Sequence, residues 1–152
     1  MIQRIQTIWF FLAALAIALL LMIPFVSKVI NESEYWVNAL GIFQQTNGAA
    51  VKIEAYLPLT ILTVAAVAML ILTIFSFKNR TQQKRGALAS IILIVVLSIL
   101  TYNYLGKFPG GLEGVQYKLG AFLPLISIIF IGLGVRGVNN DERLIKSADR
   151  LR

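Results

Sequence analysis

The chain has 152 residues and contains neither cysteine nor histidine. Disulfide staples, thiol nucleophiles, Ser-His pairs, zinc sites built on imidazole or thiolate, and haem held by a histidine or cysteine are therefore excluded. Charge is also scarce. Charged residues make up 14% and hydrophobic residues 58%, where a soluble domain carries roughly 25% and 45–50%. The mean hydropathy is +0.79. Four stretches carry no charge at all: residues 5–27, 55–77, 86–106 and 119–135. A helix needs roughly 17–25 mainly apolar residues to cross hydrocarbon, so each stretch qualifies as a span, the fourth widening to 117–138 with its flanks. No acidic or basic side chain falls in the interior of a span. Proton relays, ion-coupled transport and intramembrane acid–base chemistry use such groups. No enzyme, metal or cofactor is expected.

The charges that are present sort by side. Arg4, Lys78, Arg80, Lys84, Arg85, Arg136, Arg143, Lys146, Arg150 and Arg152 flank one set of span ends. Only Lys28, Lys52, Lys107 and Lys118 flank the other, where Glu32, Glu34, Glu54 and Glu113 balance them. Cytoplasmic flanks carry the excess of basic residues, so both termini are expected in the cytoplasm. The net charge of +7 then reflects orientation and attraction to anionic lipid head groups. Nucleic acid is not an expected partner, because no basic groove with interleaved aromatics is present. Arg4 and the apolar run after it resemble a signal peptide, but the run is long and residues 24–27 offer no small-x-small cleavage pattern. An uncleaved anchor is expected.

These features predict an all-α membrane protein: four transmembrane helices in an up-down four-helix bundle, both ends inside. The outer loop, residues 28–54, has room for its own structure. Tyr35, Val37, Ala39 and Ile42 alternate with polar or small residues, Asn47-Gly48 suits a tight turn, and Val51 and Ile53 could return. Two readings stand side by side: a small β-hairpin, or an irregular loop with Tyr35 and Trp36 resting among head groups. A hairpin would offer an exposed edge to a partner. The fourth span contains Pro124, and Gly132, Gly134 and Gly137 make its inner half thin and flexible in expectation. Residues 139–152 read as a separate short amphipathic tail helix, capped by Asn139 with Glu142 three positions on. Leu144, Ala148 and Leu151 form its apolar stripe.

Three pieces carry a family resemblance: Met1-Ile2-Gln3-Arg4-Ile5-Gln6-Thr7, Phe77-Lys78-Asn79-Arg80-x-x-Gln83, and Asp141-Glu142-x-Leu144-x-x-Ser147-Ala148-Asp149-Arg150-Leu151-Arg152. They resemble an uncharacterised family of small four-span inner-membrane proteins of Bacteroidetes-type bacteria, a domain of unknown function. The resemblance implies a membrane location and brings no activity or cofactor. The functional expectation is a structural or accessory protein docking a larger membrane-protein partner, or a second copy of itself, through its cytoplasmic face. Lys78, Arg80, Lys84, Arg85, Arg143, Lys146, Arg150 and Arg152 are the candidate docking residues for partner or lipid. The alternative is a carrier or binder of a lipid or apolar small molecule without ion coupling.

Overall fold

Pro24 ends the first apolar stretch early. Its ring disfavours helical backbone at Ile23, and the β-branched Val26, Val29 and Ile30 that follow favour extended chain. In the computed structural model α1 spans Gln3–Ala18 and tightens into a 3-10 turn at Leu19–Leu21. The chain then enters β1, Val26–Ile30. The structure describes residues 3–30, 33–46, 49–108, 111 and 113–149; the side chains of residues 3, 4, 46, 78, 144–146, 148 and 149 are outside the description.

β2 (Ser33–Asn38), β3 (Gly41–Thr46) and β4 (Ala49–Ala55) continue as an antiparallel meander. α2 (Leu57–Phe75) and α3 (Arg80–Leu105) follow, then β5 (Gln116–Tyr117) and α4 (Leu123–Asp149). β5 pairs with β1, giving one five-stranded sheet in the order β4-β3-β2-β1-β5. The fold is thus mixed α/β, which overturns the expectation of an all-α four-helix bundle. The hairpin reading captured only the β3–β4 half. Thr46 opposes Ala49 across that hairpin, while the Asn47-Gly48 turn itself lies outside the described residues.

The sheet is tied to the helix ends through backbone bonds. The Ala39 amide donates to the Leu20 carbonyl at 2.9 Å, and Asn38 Nδ2 donates to the Leu21 carbonyl at 3.2 Å. These bonds satisfy carbonyls that the end of a helix leaves without partners. The Tyr56 amide donates to Leu40, and those of Lys118 and Gly120 donate to Phe25 and Pro24. Gly41 makes the tight corner possible. Its φ of +142° is unfavourable for other residues, and a Cβ there would strike the Glu54 carbonyl. On one face Trp36 stacks on Phe43 at 5.7 Å, and the Lys52 ammonium lies 5.9 Å from the Phe43 ring. β4 forms an edge with every residue exposed.

α1 packs against α4 and α2, and α3 packs against α2 and α4. The inward faces set small or polar residues among large apolar ones: Ala13 and Ala14 beside Phe10 and Ile17 on α1, Thr63 and Ala66 beside Leu59 and Leu70 on α2, Ala87 and Ser90 beside Ile94 and Leu97 on α3, Ser127 beside Ile131 on α4. Small side chains let backbones approach closely. Accordingly Ser127 Oγ donates across the helices to the Ala13 carbonyl at 3.0 Å. The outward faces are apolar as well. Ile61 is 67% exposed, Phe75 71%, Leu88 60% and Leu125 61%. Three helices are long and apolar enough to cross a membrane, Leu57–Phe75, Arg80–Leu105 and the Leu123–Arg143 part of α4; the apolar part of the first, Ile5–Leu21, is shorter.

The ends of the helices differ from the sequence reading in two further ways. α4 runs unbroken from Leu123 to Asp149, so the separate tail helix capped by Asn139 does not form. Asn139 sits inside a helix whose upstream residues supply its backbone partners, which leaves nothing to cap. The basic segment between the second and third expected spans, residues 78–85, is also largely helical. A 3-10 turn at Ser76–Lys78 leads to Asn79, whose side chain accepts from the Gln82 amide at 3.2 Å and starts α3 at Arg80.

Candidate functional site

Glycine on α4 prepares a polar site at the helix ends opposite the sheet. A Cβ on Gly134 would sit 2.9 Å from the Phe10 ring, and one on Gly137 would sit 2.7 Å from Gln6 Cγ. The two glycines therefore seat α1 against α4, whereas Gly132 faces open space. The expected thin, flexible stretch is in large part a contact surface. Gln6, only 2% exposed, fills the space over Gly137.

Gln6 Nε2 donates to Asp141 Oδ2 on α4. Arg80, in the first turn of α3, donates from Nη1 to Gln6 Oε1 at 3.0 Å and lies 3.3 Å from Asp141 Oδ2. One triangle of side chains thus joins α1, α3 and α4. Asp141 is 6% exposed, and the Arg80 side chain is 18% exposed. A cation at a helix N-terminus is disfavoured by the helix dipole, and the carboxylate of Asp141 offsets that penalty. Beside the triangle, Lys84 pairs with Glu142 in a more open setting. Two buried acceptors in this region have no partner among the described residues: Asp141 Oδ1 and Gln83 Oε1. Gln83 is 1% exposed.

The predicted docking residues separate here. Arg80 and Lys84 are brought together with acidic partners and are engaged within the fold. Arg85 and Arg143 are exposed, and Arg143 borders an open polar cleft with Lys84, Asn139 and Glu142. Lys78 closes the 3-10 turn before α3 and Lys146 lies in α4, but both side chains are outside the description; Arg150 and Arg152 lie outside the described residues. Gln6, Gln83 and Asp141 were missed as members of a site. Their only signal was position: each falls within one of the three short sequence pieces that carry the family resemblance, and the structure gathers Gln6, Gln83 and Asp141 at one end.

A guanidinium, an amide and a carboxylate bind one another, and no group of three or more metal-binding side chains occurs among the described residues. At the sheet end Tyr56 stacks on Tyr104 at 4.2 Å, with the Lys107 ammonium 5.6 Å from the Tyr104 ring. This stack joins the start of α2 to the end of α3.

No curated protein matches the chain. Residues 2–151 match a family described as a domain of unknown function, DUF4293, and with nearly the whole chain covered the protein belongs to that family.

Proposed function

We propose that this chain is a four-span integral membrane protein of structural or accessory type, with its sheet on the outer side of a bacterial inner membrane. The Gln6–Arg80–Asp141 end then faces the cytoplasm. The observation that carries this reading is that large apolar side chains, Ile61, Phe75, Leu88 and Leu125 among them, cover the outward faces of the helices as well as filling the core. A soluble protein hides its large apolar side chains, whereas hydrocarbon favours this arrangement. The first helix is adequate for a crossing. From Ile5, fourteen α-helical residues and a three-residue 3-10 turn give about 27 Å, within a few ångströms of the thickness of the hydrocarbon layer.

Within this reading the docking face narrows. Arg80 and Lys84 hold the fold together, so of the predicted docking residues whose side chains are described, exposed Arg85 and Arg143 are free to meet an acidic partner surface or anionic head groups. The absence of cysteine makes the test direct. Single cysteines at Val51 and at Arg85 should react with a membrane-impermeant maleimide from opposite sides of the membrane, while the protein resists alkaline extraction. Labelling of both from one side, or release by alkali, would refute the topology. Mild-detergent purification should then retain a partner that is lost on changing Arg85 and Arg143 together to glutamate. A solitary protein in both cases would refute docking and leave the topology standing.

A further inference from the structure

Near the sheet α3 and α4 part, and a crevice of about 160 Å³ opens between them. Ser98, Thr101, Tyr102 and Leu105 line one wall, and Phe25, Ala121 and Pro124 complete it. Its polar atoms are almost all spent. Ser98 Oγ donates to the Ile94 carbonyl at 2.9 Å, and Thr101 Oγ1 donates to the Leu97 carbonyl at 2.8 Å. Pro124 has no amide hydrogen to offer. What remains on the wall is methyl, methylene and ring, a surface fit for hydrocarbon.

The rim is different. Lys118 is fixed beside the crevice by its backbone: its amide donates to Phe25 at 2.9 Å, and its carbonyl accepts from Ala121 at 3.1 Å. Its ammonium belongs to no ion pair among the described residues. The exposed Tyr102 ring borders the same opening. From Ser98 to Leu105 the wall runs seven residues, about 10 Å along the helix. The apolar lining thus covers the last eight residues of α3, running inward from Leu105 to Ser98, and Lys118 stands at the sheet end. A phospholipid has the same order, with its anionic head at the surface and its chain below.

We propose that the crevice between α3 and α4 seats one acyl chain of an anionic membrane phospholipid, with the head-group phosphate against Lys118. The proposal rests on the membrane reading above and names a ligand that reading does not require. The wholly apolar groove between α1 and α2, lined by Thr7, Ile8, Phe11, Ile71, Ile74 and Phe75, provides a control surface.

The test is native mass spectrometry of the full chain, delipidated in mild detergent and titrated with phosphatidylglycerol or phosphatidylcholine. The wild-type chain should take up one phosphatidylglycerol at concentrations where phosphatidylcholine gives severalfold less adduct. S98W and A121L fill the crevice from opposite walls and should each abolish the adduct, whereas I8W in the control groove should leave it intact. K118Q should keep a lipid adduct but lose the preference for phosphatidylglycerol. Should S98W fail to fold, A121L and K118Q still decide the matter. Absence of a wild-type adduct, equal uptake of the two lipids, or an adduct that survives both filling variants would overturn the proposal. Alkaline extraction of the membranes from which the chain is purified separates this failure from that of the membrane reading. Release by alkali refutes the membrane, and retention without the adduct refutes the crevice alone.

Discussion

Replacing Asp141 by alanine removes the acceptor on which two helices converge. Gln6 Nε2 loses its carboxylate, and Arg80 keeps its charge in a setting only 18% exposed. Breaking a buried ion pair by deleting one partner costs about 3–5 kcal/mol, chiefly because the other charge is left without compensation. Arg80 retains some access to water, which lowers that figure. The stranded Gln6 donor adds about 1–3 kcal/mol when it cannot be solvated. A net loss of about 2–4 kcal/mol follows, which for a chain of this size lowers the unfolding midpoint by roughly 5–15 °C. The assay is thermal unfolding in detergent, followed by tryptophan emission. Trp9 lies one turn from Gln6 and packs on Phe130 at 5.7 Å, so it reports from the affected end. A triple variant, Gln6→Leu, Arg80→Met and Asp141→Leu, removes all three polar partners together. Apolar replacement of a complete buried network is commonly neutral or stabilising, so the triple variant should recover most of the loss. A single variant that melts with the wild type would refute the desolvated triangle. A triple variant that falls as far as the single one would show that pairing is not what the residues supply.

The neighbouring Lys84–Glu142 pair is about one-third exposed on both sides. Lys84→Met should therefore cost under about 1 kcal/mol, and that cost should vanish in 1 M salt, read by the same melting curves. Gly137→Ala should cost about 1–3 kcal/mol by forcing α4 away from Gln6. Gly132→Ala, in open space, should gain up to about 1 kcal/mol of helix propensity. Gly41→Ala meets both an unfavourable φ and the Glu54 carbonyl, so protease cleavage within β3 and β4 should rise sharply; unchanged cleavage would refute the tight corner.

How much of this was legible depended on the length scale of the signal. α2 and α3 were visible because uncharged runs of membrane length suffice to mark them. The end of α1 was hidden for the same reason: residues 19–27 are apolar whether they form helix or strand, and hydropathy does not distinguish the two. Pro24 and the β-branched residues after it were the cue. The β3–β4 hairpin showed through its alternation, but β1 carried its apolar residues into what read as a membrane span. β5 has two residues, too few to show any period. The site was the least legible part, since Gln6 and Asp141 are 135 positions apart and no local spacing relates them. The basic residues beside α3 read as a docking face because a sequence shows where charges fall along the chain and not which acids fold back onto them.

The two ends of the molecule are held by different kinds of bond, and that difference carries a mechanical consequence. At the sheet end, backbone bonds from Ala39, Tyr56, Lys118 and Gly120 connect the sheet corner, the end of α1 and the starts of α2 and α4. Such bonds cannot be exchanged one at a time without disturbing strand register, which fixes the faces of every side chain beyond them. At the other end the contacts are made by side chains: Gln6, Arg80 and Asp141, then Lys84 and Glu142. Each can be released by a rotamer change and a competing ion or partner group. Two acceptors there, Asp141 Oδ1 and Gln83 Oε1, are buried and have no partner among the described residues, so a donor arriving from outside would gain bonds those residues do not supply. Helices pinned at the sheet and latched by charge at the far end would separate first at the latch. A partner meeting the exposed cations Arg85 and Arg143 would therefore act on the end of the fold that costs least to open.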